Sequence, residues 1–135
     1  CGAPRWSVSE RVVLDASAVL ALLRGEPGAE AVARVVTSAS LSAVNLAEVL
    51  LVLERHGMPH DIARSHLAAL ALHVAQADEP VAAEAARIGA AHRKHGLALG
   101  DCFCLATAAS LGAPALTADR AWARLKTGVR VTVLR

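Results

Sequence analysis

Apolar positions along this chain fall into short β-branched or leucine-containing runs separated by longer segments with helical spacing. Arg11-Val-Val-Leu14 predicts a strand ending at Asp15, and residues 16–23 a helix that Arg24-Gly-Glu-Pro-Gly28 breaks. A short helix over 29–36 follows, and then Ser40-Leu-Ser42, a brief strand feeding a helix over 43–55. Residues 60–72 are again helical and 73–75 a third strand. Residues 80–95 make the longest helix, with Pro80 at its start and Gly96 just past its end. A helix over 100–111 stops at Gly112; after it come a strand over 114–117, a helical turn over 119–125 and a last strand over 129–134. Short apolar strands alternating with helices predict an α/β fold with a central, mostly parallel, twisted sheet of about five strands flanked by helices, because parallel neighbours need crossover connections.

Composition agrees with a single domain. A chain of 135 residues is long enough to bury roughly 68–70% of its unfolded surface. With 55% hydrophobic and 19% charged residues and a mean hydropathy of +0.44, it is far from a disordered composition. Alanine fills 31 positions while the aromatics are only Trp6, Trp122 and Phe103, which favours close-packed helices and argues against an aromatic-filled β-sandwich. Residues 1–10 show little periodicity and are read as an N-terminal extension, leaving 11–135 as the domain. A net charge of +2 does not by itself mark a nucleic-acid binder. Three cysteines, Cys1, Cys102 and Cys104, form neither a disulfide framework nor a zinc-type pair, which fits a reducing compartment. The apolar stretch over 12–23 is not read as a leader or a membrane span, since Asp15 interrupts it and it is far short of ~20 residues. A cytoplasmic location is expected.

In parallel sheets the functional crevice lies beyond the carboxyl ends of the strands, and Asp15 and Asp119 fall there. Either could simply cap the helix that follows it, although Ser17 could cap in place of Asp15 and leave that carboxylate free. Asp101 stands at the start of a helix, where an anion is stabilised by the helix dipole. Glu48 shares a helix face with Val44, Leu51 and Val52, an unfavourable place for an unpartnered carboxylate, and Asn45 three residues earlier is positioned to hydrogen-bond it. Four acids converging on one crevice would raise one another's pKa, and a hard divalent cation is what makes such a cluster stable. Mg²⁺ or Mn²⁺, as one or two ions, suits oxygen donors and phosphodiester chemistry.

These residues resemble a family. Val13-Leu-Asp15-Ala-Ser17, Ala47-Glu48, Asp101-Cys-Phe-Cys-Leu-Ala-Thr-Ala108 and Leu116-Thr-Ala-Asp119 are similar, in order and spacing, to the acidic motifs of PIN-domain ribonucleases. Leu22-Leu-Arg-Gly-Glu-Pro-Gly28 resembles a pattern of the VapC-type toxins of toxin–antitoxin pairs. The resemblance covers roughly residues 12–134. It implies a PIN fold, a Mg²⁺/Mn²⁺ site formed by Asp15, Glu48, Asp101 and Asp119 with Ser17 and Thr117 in support, and endonucleolytic cleavage of RNA. It further implies a homodimer and a cognate VapB-type antitoxin that occupies or occludes the site.

Twelve of the 14 basic residues are arginines, whose planar fork suits phosphate, and Arg24 and Arg120 are the candidates to reach substrate. His92 and His95 read as surface residues at a helix end, and Cys102 and Cys104 as small packed hydrophobes. Two other readings compete. A phosphotransfer receiver also places an Asp after its first strand, but here Glu48 lies within a helix and Lys126 follows the last helical turn. A haloacid-dehalogenase-like phosphatase requires Asp-x-Asp, where this chain has Asp15-Ala-Ser17. A PIN-type domain that binds without catalysis is the remaining alternative.

Overall fold

The computed structural model describes residues 11–135; the N-terminal extension read from the sequence, residues 1–10, lies outside the described residues. Strand β1 (Val12–Leu14) leads through α1 (Ala16–Arg24), α2 (Ala29–Val35) and a 3₁₀ turn (Val36–Ser38) to β2 (Ala39–Ser42). Helices α3 (Ala43–Arg55) and α4 (His60–Ala69) precede β3 (His73–Ala75). Helix α5 (Glu79–Ala91), a 3₁₀ turn (Arg93–His95) and α6 (Leu99–Leu111) then carry the chain to β4 (Ala115–Thr117), a 3₁₀ segment (Arg120–Arg124) and β5 (Val131–Val133).

The sheet has the order β3-β2-β1-β4-β5, and every pairing is parallel. The α/β class and the five-stranded parallel sheet expected from the sequence are therefore observed. The order reverses between β1 and β4, so connections leave these two adjacent strands in opposite directions and open a crevice above their carboxyl ends. Val13 stands opposite Ala115, and Leu14 opposite Leu116. Asp15 and Thr117 are consequently the next pair up, at the crevice.

Alternation along the strands divides the core between the two faces. Val12, Leu14, Leu41 and Leu116 pack with α1, α2, α3 and α4, whereas Val13 and Ala115 pack with α5, α6 and Trp122. Helix α6 is buried along most of its length through Cys102, Cys104, Leu105, Ala106, Thr107 and Ala108. Such small side chains let it lie close to the sheet and to α5, where Gly89 faces the Cys102 sulfur. This packing accounts for the abundance of alanine. Both cysteines are free and buried, as the sequence suggested. Gly112 ends α6 in the left-handed conformation at φ 61°, donating its N–H to Ala108 and Ala109 carbonyls before the turn into β4.

Boundaries differ from the sequence reading where side chains or backbone compete with the helix. The helix expected over 60–72 stops at Ala69, and Ala71 takes a positive φ of 56° to turn the chain into β3. The single helix expected over 80–95 ends at Ala91, before a separate 3₁₀ turn. At that end the ring nitrogens of His92 lie 3.0 Å from the Ile88 carbonyl and 3.2 Å from the Lys126 carbonyl. The reading of His92 as a plain surface residue is corrected accordingly, since the half-buried ring ties the end of α5 to the segment after β4. No helix among the described residues is long and apolar enough to cross a membrane.

Trp122 anchors that segment, 1% exposed, with its indole N–H lacking a hydrogen-bond partner. Trp122→Ala is expected to destabilise by about 3–5 kcal/mol. Trp122→Phe should cost less than half as much, because it retains most of the apolar volume and removes an unsatisfied donor. Urea unfolding of the two variants beside the parent chain checks both values, and equal losses would contradict the account.

Candidate metal-dependent active site

Asp15 is 4% exposed and is the side-chain cap of α1: Oδ1 accepts from the Ala18 N–H at 2.9 Å and from Ser17 Oγ at 2.7 Å, and Oδ2 accepts from Thr117 Oγ1 at 2.6 Å. The alternative in which Ser17 caps the helix is corrected by these contacts. Ser17 donates to Asp15 and accepts from the Ala118 N–H at 2.9 Å, so it links the two strand ends instead. Thr117 donates to Asp15 and accepts from the Asp119 N–H at 3.0 Å. Asp119 is exposed, and its Oδ1 accepts from the Ala121 N–H at 2.9 Å, starting the 3₁₀ segment.

The other two acids enter from helices. Glu48 is half-buried on α3, and the buried amide of Asn45 donates to its Oε1 at 2.6 Å. The same Asn45 nitrogen donates to the Gly100 carbonyl at 3.0 Å, joining α3 to the first turn of α6. One residue later, Asp101 Oδ2 accepts from the Ala98 N–H at 3.1 Å. Sequence reading found Asn45 but missed Gly100. Its signal, a glycine directly before a helix-start acid, resembles ordinary helix punctuation until α3 is seen to lie against it.

Electrostatics ties the four acids together. Burial pushes the Asp15 carboxyl above its ordinary value, against the opposing hydrogen bonds from Thr117, Ser17 and Ala18, and the charge of Asp119 adds to the rise. Asp101 is pushed up to about 6, chiefly by burial and further by the charges of Asp15, Glu48 and Asp119. Behind the site, burial and then the charges of Asp15, Asp101 and Glu48 raise the Cys104 thiol well above its ordinary range. Among the described residues no Lys or Arg forms an ion pair with any of the four acids. Nor are any three His, Cys, Asp or Glu side chains gathered closely enough to hold a metal ion as they stand. The donor set nevertheless fits a hard divalent cation: several carboxylates, two hydroxyls and, among the described residues, no paired Lys or Arg.

The two arginine candidates lie differently. Arg120 is exposed directly after Asp119, with its Nε donating to the Arg135 carbonyl at 2.9 Å. Arg24 is at the opposite end of α1 from Asp15, separated by about 13 Å of helix, where its guanidinium lies 3.4 Å from His56 Nδ1.

The PIN domain family model matches residues 12–128. No curated protein matches significantly. The fold is similar to DNA-bound VapBC from Salmonella typhimurium (TM-score 0.73, 18% identity, covering 93% of this chain and 99% of that one). It is also similar to FitAcB from Neisseria gonorrhoeae (TM-score 0.68, 25% identity, 89% and 95%) and to a toxin–antitoxin complex from Klebsiella pneumoniae (TM-score 0.71, 17% identity, 92% and 98%).

Because the folded-state pKa of Asp101 lies above its unfolded value, the folded chain binds more protons between about pH 4 and 6. Ionising Asp101 in the fold therefore lowers stability as pH rises through that window. Asp101→Asn keeps an acceptor for the Ala98 N–H and removes the charge, so its melting temperature relative to the parent should rise between pH 4 and pH 7. Thermal unfolding of both chains in EDTA across that range measures the difference, and a pH-independent gap would contradict it.

Proposed function

This chain belongs to the PIN domain family, and on that premise we propose that it is a Mg²⁺- or Mn²⁺-dependent endoribonuclease, a hydrolase of RNA phosphodiesters and the toxin of a VapBC-type toxin–antitoxin pair. The observation that carries the reading is a group of carboxylates about the sheet's reversal point: Asp101 is raised by burial and by the charges of Asp15, Glu48 and Asp119, and among the described residues no Lys or Arg pairs with any of the four. Asp15, Glu48, Asp101 and Asp119 would hold one or two ions. When bound, such an ion neutralises the carboxylates, polarises the phosphodiester and lowers the pKa of an attacking water.

The chain's own groups prepare that chemistry. Ser17 and Thr117 occupy both Asp15 oxygens with donated hydrogen bonds, which fixes the carboxylate's direction before substrate arrives. Asn45 orients Glu48, and the Ala98 N–H orients Asp101. Arg120, next to Asp119, is in reach of a substrate phosphate beside the crevice, whereas Arg24 would serve only a strand of RNA that extends along α1. With Trp122 buried and Phe103 half-buried against the core, recognition by the described residues would rest on phosphate and shape more than on base stacking.

An exposed nuclease site would threaten its own cell, and this favours a cognate VapB-type antitoxin, a cytoplasmic setting and a homodimer. The structural similarity to toxin–antitoxin complexes supports the pairing. A PIN domain that binds RNA without cutting it is the competing reading, favoured by the absence, among the described residues, of three ligating side chains already gathered.

RNA incubated with antitoxin-free protein decides between them. Cleavage is expected with Mg²⁺ or Mn²⁺ and none with EDTA, and Asp15→Asn or Asp101→Asn should lower the rate at least 100-fold, the scale on which removing a single transition-state-stabilising group acts. Equal activity in every sample would end the nuclease assignment.

A further inference from the structure

Asn45 is 1% exposed, and its amide nitrogen is committed twice: one contact to Glu48 Oε1 and one to the Gly100 carbonyl. Both partners are acceptors, so the amide has one workable orientation; a flip would set its oxygen against two others. Its Oδ1 is buried without a hydrogen-bond partner, a cost the fold bears to keep the nitrogen where it is. At Gly100 a Cβ would fall inside the Glu48 carboxylate, and all three nearest atoms to that position belong to Glu48. The glycine is helical and has no positive φ, so backbone conformation does not explain it.

We infer that Gly100 and Asn45 form a lock that seats Glu48 against the first turn of α6, making Gly100 a positioning residue of the metal site. Position 100 must be bare for the carboxylate to lie beside Asp101, and Asn45 ties that carboxylate and the α6 backbone to the same nitrogen. α3 and α6 approach from opposite faces of the sheet, so the lock is also what registers one acid against the other. The inference rests on the metal-site reading above and deepens it.

Gly100→Ala tests it without endangering the fold. Alanine is the better helix former, and the obstructing atoms are the far end of a flexible side chain that can swing outward. Its unfolding midpoint in EDTA should stay within about 2 °C of the parent or rise. Mn²⁺ affinity, followed by calorimetry or by the loss of the free-ion electron paramagnetic resonance signal, should fall at least tenfold. Asn45→Ala should show the same fall. In a Glu48→Ala background, Gly100→Ala should produce no further loss, because its effect passes through Glu48. Parent-like Mn²⁺ affinity in Gly100→Ala, or a loss that persists undiminished in the Glu48→Ala background, would overturn the lock while leaving the metal site standing. A parent chain that takes up no Mn²⁺ would overturn the metal-site reading, and the lock with it.

Discussion

Negative charge at one edge of the sheet, with no described Lys or Arg paired against it, is the constraint around which the site is arranged. Asp15 is held in a buried position by hydroxyl and amide donors, none of which carries charge. Neutral donors fix the carboxylate's direction but carry no charge to set against the neighbouring acids, and the pKa of about 6 at Asp101 reflects burial first and the charges of Asp15, Glu48 and Asp119 second. A lysine or arginine in the crevice would relieve the repulsion and, on the reading proposed above, fill the place of a divalent ion. On that reading the local loss of stability is the trade familiar at sites that must bind.

The topology makes this arrangement possible. Reversal of strand order at β1 and β4 leaves two adjacent carboxyl ends uncovered, and α3 and α6 then bring Glu48 and Asp101 in from opposite faces. The small side chains of α6 allow its first turn to sit low enough for Asn45 to touch the Gly100 carbonyl across the edge. Bulky residues along α6 would separate the two faces.

Much of the fold was legible in the sequence because short β-branched strands and Pro or Gly helix boundaries are local signals. The third strand was read to the residue at His73–Ala75, and α3 likewise at Ala43–Arg55. Failures came where distant groups meet: the helix read over 80–95 ends at Ala91, where the His92 ring lies against the Lys126 carbonyl, 34 residues away. The acids were visible as residues out of place, Glu48 above all. Which residue caps α1 was left open between Asp15 and Ser17, because Ser17 is a plausible cap in isolation and only the arrival of β4 gives it another task. Gly100 was invisible for the same reason, its neighbour Glu48 being 52 positions earlier in the chain.

The hydrogen bond from Thr117 to Asp15 joins residues 102 positions apart, and β4 has to pair with β1 before it can form. A ribosome adding about 5–20 residues per second therefore exposes Asp15 many seconds before the residue that completes its setting exists. Throughout that interval, and in any fragment cut short of β4, the crevice lacks one wall. The setting of Asp15 is completed in one step, when β4 docks, rather than assembled gradually as the earlier elements emerge.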